Sequence, residues 1–300
     1  MTTKTRGIVM FAHNNPEIDY LRLAVTNAYL IQHNLGLSKD EICIITDSES
    51  YEFVKAEKGE HFLKTACGHY KITTTDPEFT AANQRNYKDT NHNMQLLPFY
   101  NCNRCDVYDL SPFDETIVID ADYLVLTDSL NACWDHNNDL MMNWEYNDVM
   151  STRKYPTLER INPLGIKMYW ATVVYFRRSE YNEAFFNLIQ HVRDNKEYYQ
   201  VLYQYPGNIY RNDYSFSIAS HIMSGLIDEG VNQLPITLYK SFDVDDVHHA
   251  VSPSEIVLLL EDMSREGESF ILTRWKNDIH IMNKWAIGRI NETFLEKLGV

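Results

Sequence analysis

Continuous apolar runs alternate along this chain with stretches of helical spacing. Gly7 to Ala12 and Ile42 to Thr46 are unbroken apolar segments, as expected of strands buried on both faces of a parallel sheet. Between them Leu21, Ala24, Val25, Ala28, Tyr29 and Ile31 recur at helical spacing and stop near Gly36. Pro16 suits the start of that helix, with Asn14 or Asn15 as its cap. Strand, helix and strand make a βαβ unit. Residues 48–70 show no clear period. Lys71 to Thr75 reads as a short strand, Asn83 to Lys88 as a polar loop and Met94 to Leu110 as a helix. Ser111-Pro112-Phe113-Asp114 is a turn.

The central strand begins at Thr116 and delivers Asp120 and Asp122, with a second apolar run to Leu126. Side chains alternate along a strand, so carboxylates two apart face one volume. Ligands in open α/β sheets bind beyond the carboxyl ends of the strands. His13, Asn14 and Asp47 therefore fall on the same rim as the carboxylate pair. Asp47 is either a ribose ligand or a cap.

Downstream, Thr127-Asp128-Ser129 suits the cap of a short helix toward Trp134, and Leu140 to Glu145 reads as a strand. Residues 147–167 carry Pro156, Pro163 and Gly165 and are expected to form a mobile loop. Met168 to Phe176 is a β-prone run. Ser179 caps a helix with Ala184, Phe185, Leu188, Ile189 and Val192 on its apolar face. Residues 194–210 read as irregular, and Asn212 is expected to cap a helix reaching Gly225. Leu234 to Tyr239 and Phe270 to Trp275 read as strands. A short strand from Asp278 leaves His280 near Lys284, and Asn291 is expected to cap a last short helix. No repeat or linker interrupts the pattern, so one domain over 1–300 is expected.

Composition narrows the class. The 300 residues carry a formal net charge of −15, which disfavours broad attraction to nucleic acid or anionic membrane. Five cysteines are odd in number. The lone Cys102-Asn103-Arg104-Cys105 lacks the second pair of a structural zinc site, so buried, reduced thiols are expected. No secretory apolar segment precedes the first strand, and no apolar run reaches the ~20 residues that span a bilayer. The expectation is a cytoplasmic chain, within a host cell if it is phage-encoded.

The motifs, in this order, resemble the GT-A glycosyltransferases, most closely their glycogenin-like and galactosyltransferase-like group. The matching features are the opening strand, turn and helix (Gly7 to Ile31), Arg104 sixteen positions before Asp120, the run Tyr169 to Phe176 followed by Arg211-Asn212-Asp213, and late His280 with Lys284. The resemblance implies a Rossmann-like, mainly parallel sheet flanked by helices. It implies a nucleotide-diphosphate sugar, a UDP-sugar first, as donor and Mn²⁺ or Mg²⁺ as cofactor. Asp120, Asp122 and His280 would hold the metal. Ala12, His13, Asn14, Arg85, Arg104, Asp120, Ala121 and Lys284 would line the nucleotide sugar, mostly within 1–135. Asn212 and Asp213 would serve the acceptor side, within 136–300, with Asp213 as general base or acceptor anchor. Three departures mark the chain: Thr172 where a glycine is usual, Asn212-Asp213 in place of an Asp-Gln pair, and Lys284 unusually near His280. Leu-Ser-Pro-Phe-Asp-Glu-Thr and Arg-Asn-Asp-Tyr-Ser-Phe-Ser-Ile-Ala also look like glycosyltransferases of tailed phages.

The acceptor stays open between a saccharide or protein hydroxyl and a modified DNA base. A base would need a local basic mouth, for which Arg153, Lys154, Arg177 and Arg178 are candidates. The 147–167 loop is the candidate lid. Two other classes compete. A nucleotidyltransferase would more typically carry a glycine-rich loop after the first strand, and His13-Asn14-Asn15-Pro16 has none. A silent sugar-nucleotide binder would not need Asp120, Asp122 and His280. A rival metal site is Asp243-Val244-Asp245-Asp246-Val247-His248-His249, rich in ligand types but read as a solvated turn.

Overall fold

The computed structural model describes residues 5–75, 79, 82–150, 153, 159–207, 209–228, 230–263 and 269–300. Its strands are β1 (Arg6–Phe11), β2 (Ile42–Thr46), β3 (His69–Ile72), β4 (Gln84–Thr90), β5 (Asn93–Pro98), β6 (Glu115–Asp120), β7 (Tyr123–Leu124), β8 (Leu140–Asn143), β9 (Asn147–Asp148), β10 (Trp170–Arg177), β11 (Tyr239–Lys240), β12 (Asp246–Ser252), β13 (Glu255–Glu261), β14 (Phe270–Trp275) and β15 (Ile279–His280). The main sheet has the order β3-β2-β1-β6-β10-β8. Pairings among β3, β2, β1 and β6 are parallel, and β10 runs antiparallel to both its neighbours. This is the mixed, mainly parallel α/β sheet the apolar runs imply.

Alternation along the central strands builds two cores. Ile8, Met10, Ile117, Ile119, Val173 and Tyr175 join one face. Val9, Phe11, Val118, Val174 and Phe176 join the other. Both faces are covered, so these strands are continuously apolar. The Ser111–Asp114 turn sets the register at their entry. Ser111 Oγ lies 2.7 Å from Thr116 Oγ1, and Phe113 packs so closely on Gly7 that a Cβ there would stand 2.4 Å from its ring.

A smaller sheet, β7-β15-β11-β9, is stitched beneath the carboxyl end of β6. Asn27 holds it from the Tyr20–Leu35 helix, donating to the Tyr123 carbonyl at 2.6 Å and accepting from the Val125 amide at 3.1 Å. Buried Asp278 accepts from the Leu126 and Thr127 amides, both at 2.7 Å. The β12-β13-β14 sheet follows, with β12 against the closing Lys284–Leu298 helix.

Several local expectations are corrected. Asp19, not Asn14 or Asn15, caps the first helix, while Asn14 Oδ1 accepts from the Leu21 amide at 2.8 Å. The aperiodic 48–70 stretch holds the helices Ser48–Lys58 and Glu60–Ala66, and Asp47 caps the former by accepting from the Ser50 amide at 2.8 Å. The loop at 83–88 and helix at 94–110 are instead the β4–β5 hairpin and a short 3-10 and α turn over Asn103–Leu110. Pro98 lacks the N–H that a helix interior requires. Residues Lys196–Tyr203 are helical rather than irregular. Arg211, not Asn212, is the cap residue of the Asn212–Met223 helix. Asn283 caps the last helix, accepting from the Ala286 amide at 3.1 Å, while Asn291 is buried in its middle. Leu234 to Tyr239 contributes only its last residue to a strand, and β12 and β13 went unread.

All five cysteines are free and buried. Cys102 Sγ accepts from Asn83 Nδ2 at 2.9 Å, so the CxxC pair is held by protein groups. Among the described residues, no helix is long and apolar enough to cross a membrane.

Candidate active site

Asp120 ends β6, and a two-residue turn then carries Asp122. The strand stops sooner than expected, yet both carboxylates reach one place. His280 arrives from β15, whose antiparallel pairing sets it opposite Tyr123. Its Nε2 stands 3.3 Å from Asp122 Oδ1 and 3.8 Å from Asp120 Oδ2. One ligand atom from each of the three lies within 4.8 Å of the others, and this is the trio of such residues found among the described residues. Two carboxylates and one imidazole are a hard-to-borderline donor set that fits Mn²⁺ or Mg²⁺.

Each of the three side chains is held from behind. Thr172 Oγ1, on the antiparallel strand β10, lies 3.2 Å from His280 Nδ1. That contact leaves Nε2 aimed at the carboxylates and supplies the outer partner that a ligating imidazole needs. Arg104 bonds Asp120 Oδ1 and the Ala171 carbonyl, so it orients the carboxylate from the preceding turn. Lys284 Nζ bonds Asp122 Oδ2 and donates to the Ile281 carbonyl at 3.0 Å. Burial pushes the Asp122 carboxyl up, but Lys284 and His280 more than offset it and hold the group well below the usual carboxylate range.

The trio opens on a cleft at the carboxyl end of β6. Ala121, Arg85, Arg104, Lys284, Asn212 and Asp213 of the expected set line it, as do Lys88, Arg211, Trp170 and Asp243. The Arg85 guanidinium carbon lies over the Phe99 ring, 3.4 Å from its centroid, and Arg85 donates to the Tyr210 carbonyl at 3.2 Å. Its Nε has no partner. Asp213 accepts from the Ala171 amide at 3.0 Å and from Arg211 at 2.8 Å. Burial raises its carboxyl, and Arg211 with the Ala171 amide brings it below the usual range. Asn212 donates to the Asn101 carbonyl at 3.1 Å and leaves its Oδ1 without a partner.

Other expected residues sit elsewhere. His13 is fully buried, with Nδ1 3.0 Å from Asn101 Oδ1 and Nε2 3.0 Å from Thr73 Oγ1. Ala12 is buried in the β1–β2 pairing, its amide on the Ile45 carbonyl. Asn14 lines a neighbouring cleft with Asp47 and Tyr100.

The rival cluster is divided. Asp245 is buried against Arg153 at 2.7 and 2.8 Å and accepts from the Phe242 amide, while Asp246 pairs with Arg289 at 2.8 Å. His248 and His249 are exposed, and Asp243 faces the main cleft. The expected basic mouth is likewise dispersed. Arg153 also bonds Asp148 at 2.9 Å, and Arg177 pairs with Glu115 at 3.0 Å at the opposite end of β6. Arg178 donates to the Ser111 and Phe113 carbonyls at that same end, and Lys154 lies outside the described residues. Within the expected lid, Asn147–Asp148 pairs as β9 and Ile161 enters the core. Positions 151–152 and 154–158 lie outside the described residues.

No family model matches the chain, and no curated protein matches it. The chain is similar to solved glycosyltransferase structures. The galactosyltransferase LgtC, in complex with donor and acceptor sugar analogues, is 16% identical over 78% of this chain and 73% of its own, with a TM-score of 0.45. The glycosyltransferase GlyE of Streptococcus pneumoniae is 10% identical over 76% of this chain and 45% of its own, at 0.44. Mouse xyloside xylosyltransferase 1 is 13% identical over 76% and 84%, at 0.39. Sequence reasoning missed Arg211 and Trp170 as cleft residues. It flagged Thr172 only as a departure.

Proposed function

We propose that this chain is a metal-dependent glycosyltransferase that moves a sugar from a nucleotide-diphosphate sugar to a hydroxyl of a saccharide or protein. The observation that carries the reading is the Asp120–Asp122–His280 trio opening on a cleft with Arg85, Lys88, Arg211 and Lys284, in a chain of net charge −15. Acidic proteins that gather cations at one carboxylate-lined cleft are suited to a polyanion that arrives with a divalent ion. Asp120, Asp122 and His280 would hold Mn²⁺ or Mg²⁺, which when bound neutralises charge on the leaving diphosphate. Arg85 and Lys88 flank the cleft as donors to the phosphate oxygens that gain charge as the sugar departs. Arg104 keeps Asp120 oriented.

Asp213 is the acceptor anchor in this reading. A carboxylate held below its usual range is a weak proton acceptor, so hydrogen bonding to a hydroxyl suits it better than general-base duty. The donor half spans about 1–135 and the acceptor half about 136–300. The engagement of Arg153, Arg177 and Arg178 away from the cleft favours a sugar or protein hydroxyl over a DNA base.

The test is Mn²⁺-dependent hydrolysis across a panel of nucleotide sugars, with Asp122→Asn as control. Turnover of at least one donor, lost on chelation and in the variant, is expected. Absence of both turnover and binding with every donor tested would refute the enzyme reading.

A further inference from the structure

We propose that Lys284 is a built-in counterion that competes with a divalent metal for Asp122, so that metal uptake moves the ammonium from the carboxylate to an incoming diphosphate. This rests on the function proposed above and deepens it. Asp122 is 5% exposed, and its two oxygens face different groups: Oδ1 faces His280, and Oδ2 carries the Lys284 ammonium. A buried carboxylate stripped of its cation is strongly unfavourable, so Lys284 keeps the site folded and neutralised.

The position of Lys284 argues for a duty to Asp122 rather than to its helix. It is the first residue of Lys284–Leu298, whose first turn holds no acid. A cation at a helix N-terminus opposes the helix dipole. The compensation comes from Asp122 and from the Ile281 carbonyl at 3.0 Å. A divalent ion among Asp120, Asp122 and His280 would stand beside that ammonium and repel it. The flexible four-carbon stem lets Nζ relocate with the backbone fixed, and Lys284 lines the same cleft as Arg85 and Lys88. Two binding events that share one mobile cation are thermodynamically coupled.

A purely structural salt bridge predicts the opposite sign, because its loss would loosen the site and weaken metal binding. Mn²⁺ binding to the full chain, followed by electron paramagnetic resonance without nucleotide, separates the two. Lys284→Met and Lys284→Gln are expected to bind Mn²⁺ about tenfold more tightly than the wild type. They are also expected to bind UDP more weakly and to gain more in melting temperature on Mn²⁺ addition. Folded variants with equal or weaker Mn²⁺ affinity overturn the proposal. If both variants unfold, Mn²⁺ is expected to restore folding, and failure to do so counts against it. A wild-type chain that binds no Mn²⁺, or an Asp122→Asn variant that binds it as well as the wild type, instead overturns the underlying metal site.

Discussion

Thr172 meets His280 because β10 runs antiparallel beside β6, and its Oγ1 stands 3.2 Å from the imidazole Nδ1. Thr172→Val keeps the shape and removes the hydroxyl. Mn²⁺ affinity is expected to fall about 10–100-fold by calorimetry, with Thr172→Ser close to wild type; an unchanged valine variant would deny Thr172 that role. Lys240 supplies a second residue-level outcome. Its ammonium rests 4.8 Å from the Trp170 ring, and burial, with Arg211 next, lowers its pKa from 10.5 to about 8. Between those values the unfolded chain binds more protons, so this group makes stability rise with pH from about 8 to about 10. Lys240→Met is expected to flatten that rise in urea melts; the wild-type slope surviving in the variant would contradict it. Asp120, Asp122, Arg104 and His280 were legible as residue types in order. The partner of His280 was not, because Thr172 reaches it only through strand register. The surroundings of His13 were hidden for a related reason: the Asn101 and Thr73 groups that engage its ring are distant in sequence.

Among the elements, the continuously apolar strands were the most legible, since burial on both faces leaves an unbroken signature. The β4–β5 hairpin was hidden because β4 is polar apart from Tyr87 and the apolar Met94 and Leu96 of β5 are exposed, so little buried alternation marks it. The last helix begins earlier than read because Asn283 Oδ1 accepts from the otherwise unpaired Ala286 amide, whereas Asn291 lies mid-helix. The Ser111–Asp114 turn sets the entry of β6 through Phe113 on Gly7. A Cβ on Gly7 would also come within 2.5 Å of the Glu41 carbonyl oxygen, a backbone atom that cannot swing aside. Gly7→Ala is therefore expected to destabilise the chain by about 1–3 kcal/mol, read from the shift in the urea midpoint. A neutral result would mean that the strand entry relaxes freely.

On the scale of the whole molecule, acidity and burial make separate statements. Burial pushes the Cys43 and Cys133 thiols up to about 12 and raises Cys67, Cys102 and Cys105 as well. A thiol-specific chromogenic reagent at pH 8 is expected to find no fast-reacting cysteine in the native chain and five after denaturation; rapid native labelling would show an accessible thiol. In a chain of net charge −15 the cleft brings Arg85, Lys88, Arg211 and Lys284 together with Asp120, Asp122 and His280, and the account stands on what that cleft holds. The most direct measurement is a crystal structure of the chain with Mn²⁺ and a nucleotide diphosphate, with the metal located by anomalous scattering. The account predicts one strong peak bounded by Asp120, Asp122 and His280, in contact with the diphosphate. A nucleotide bound in the cleft with the metal elsewhere, or with no metal between those three side chains, would contradict it.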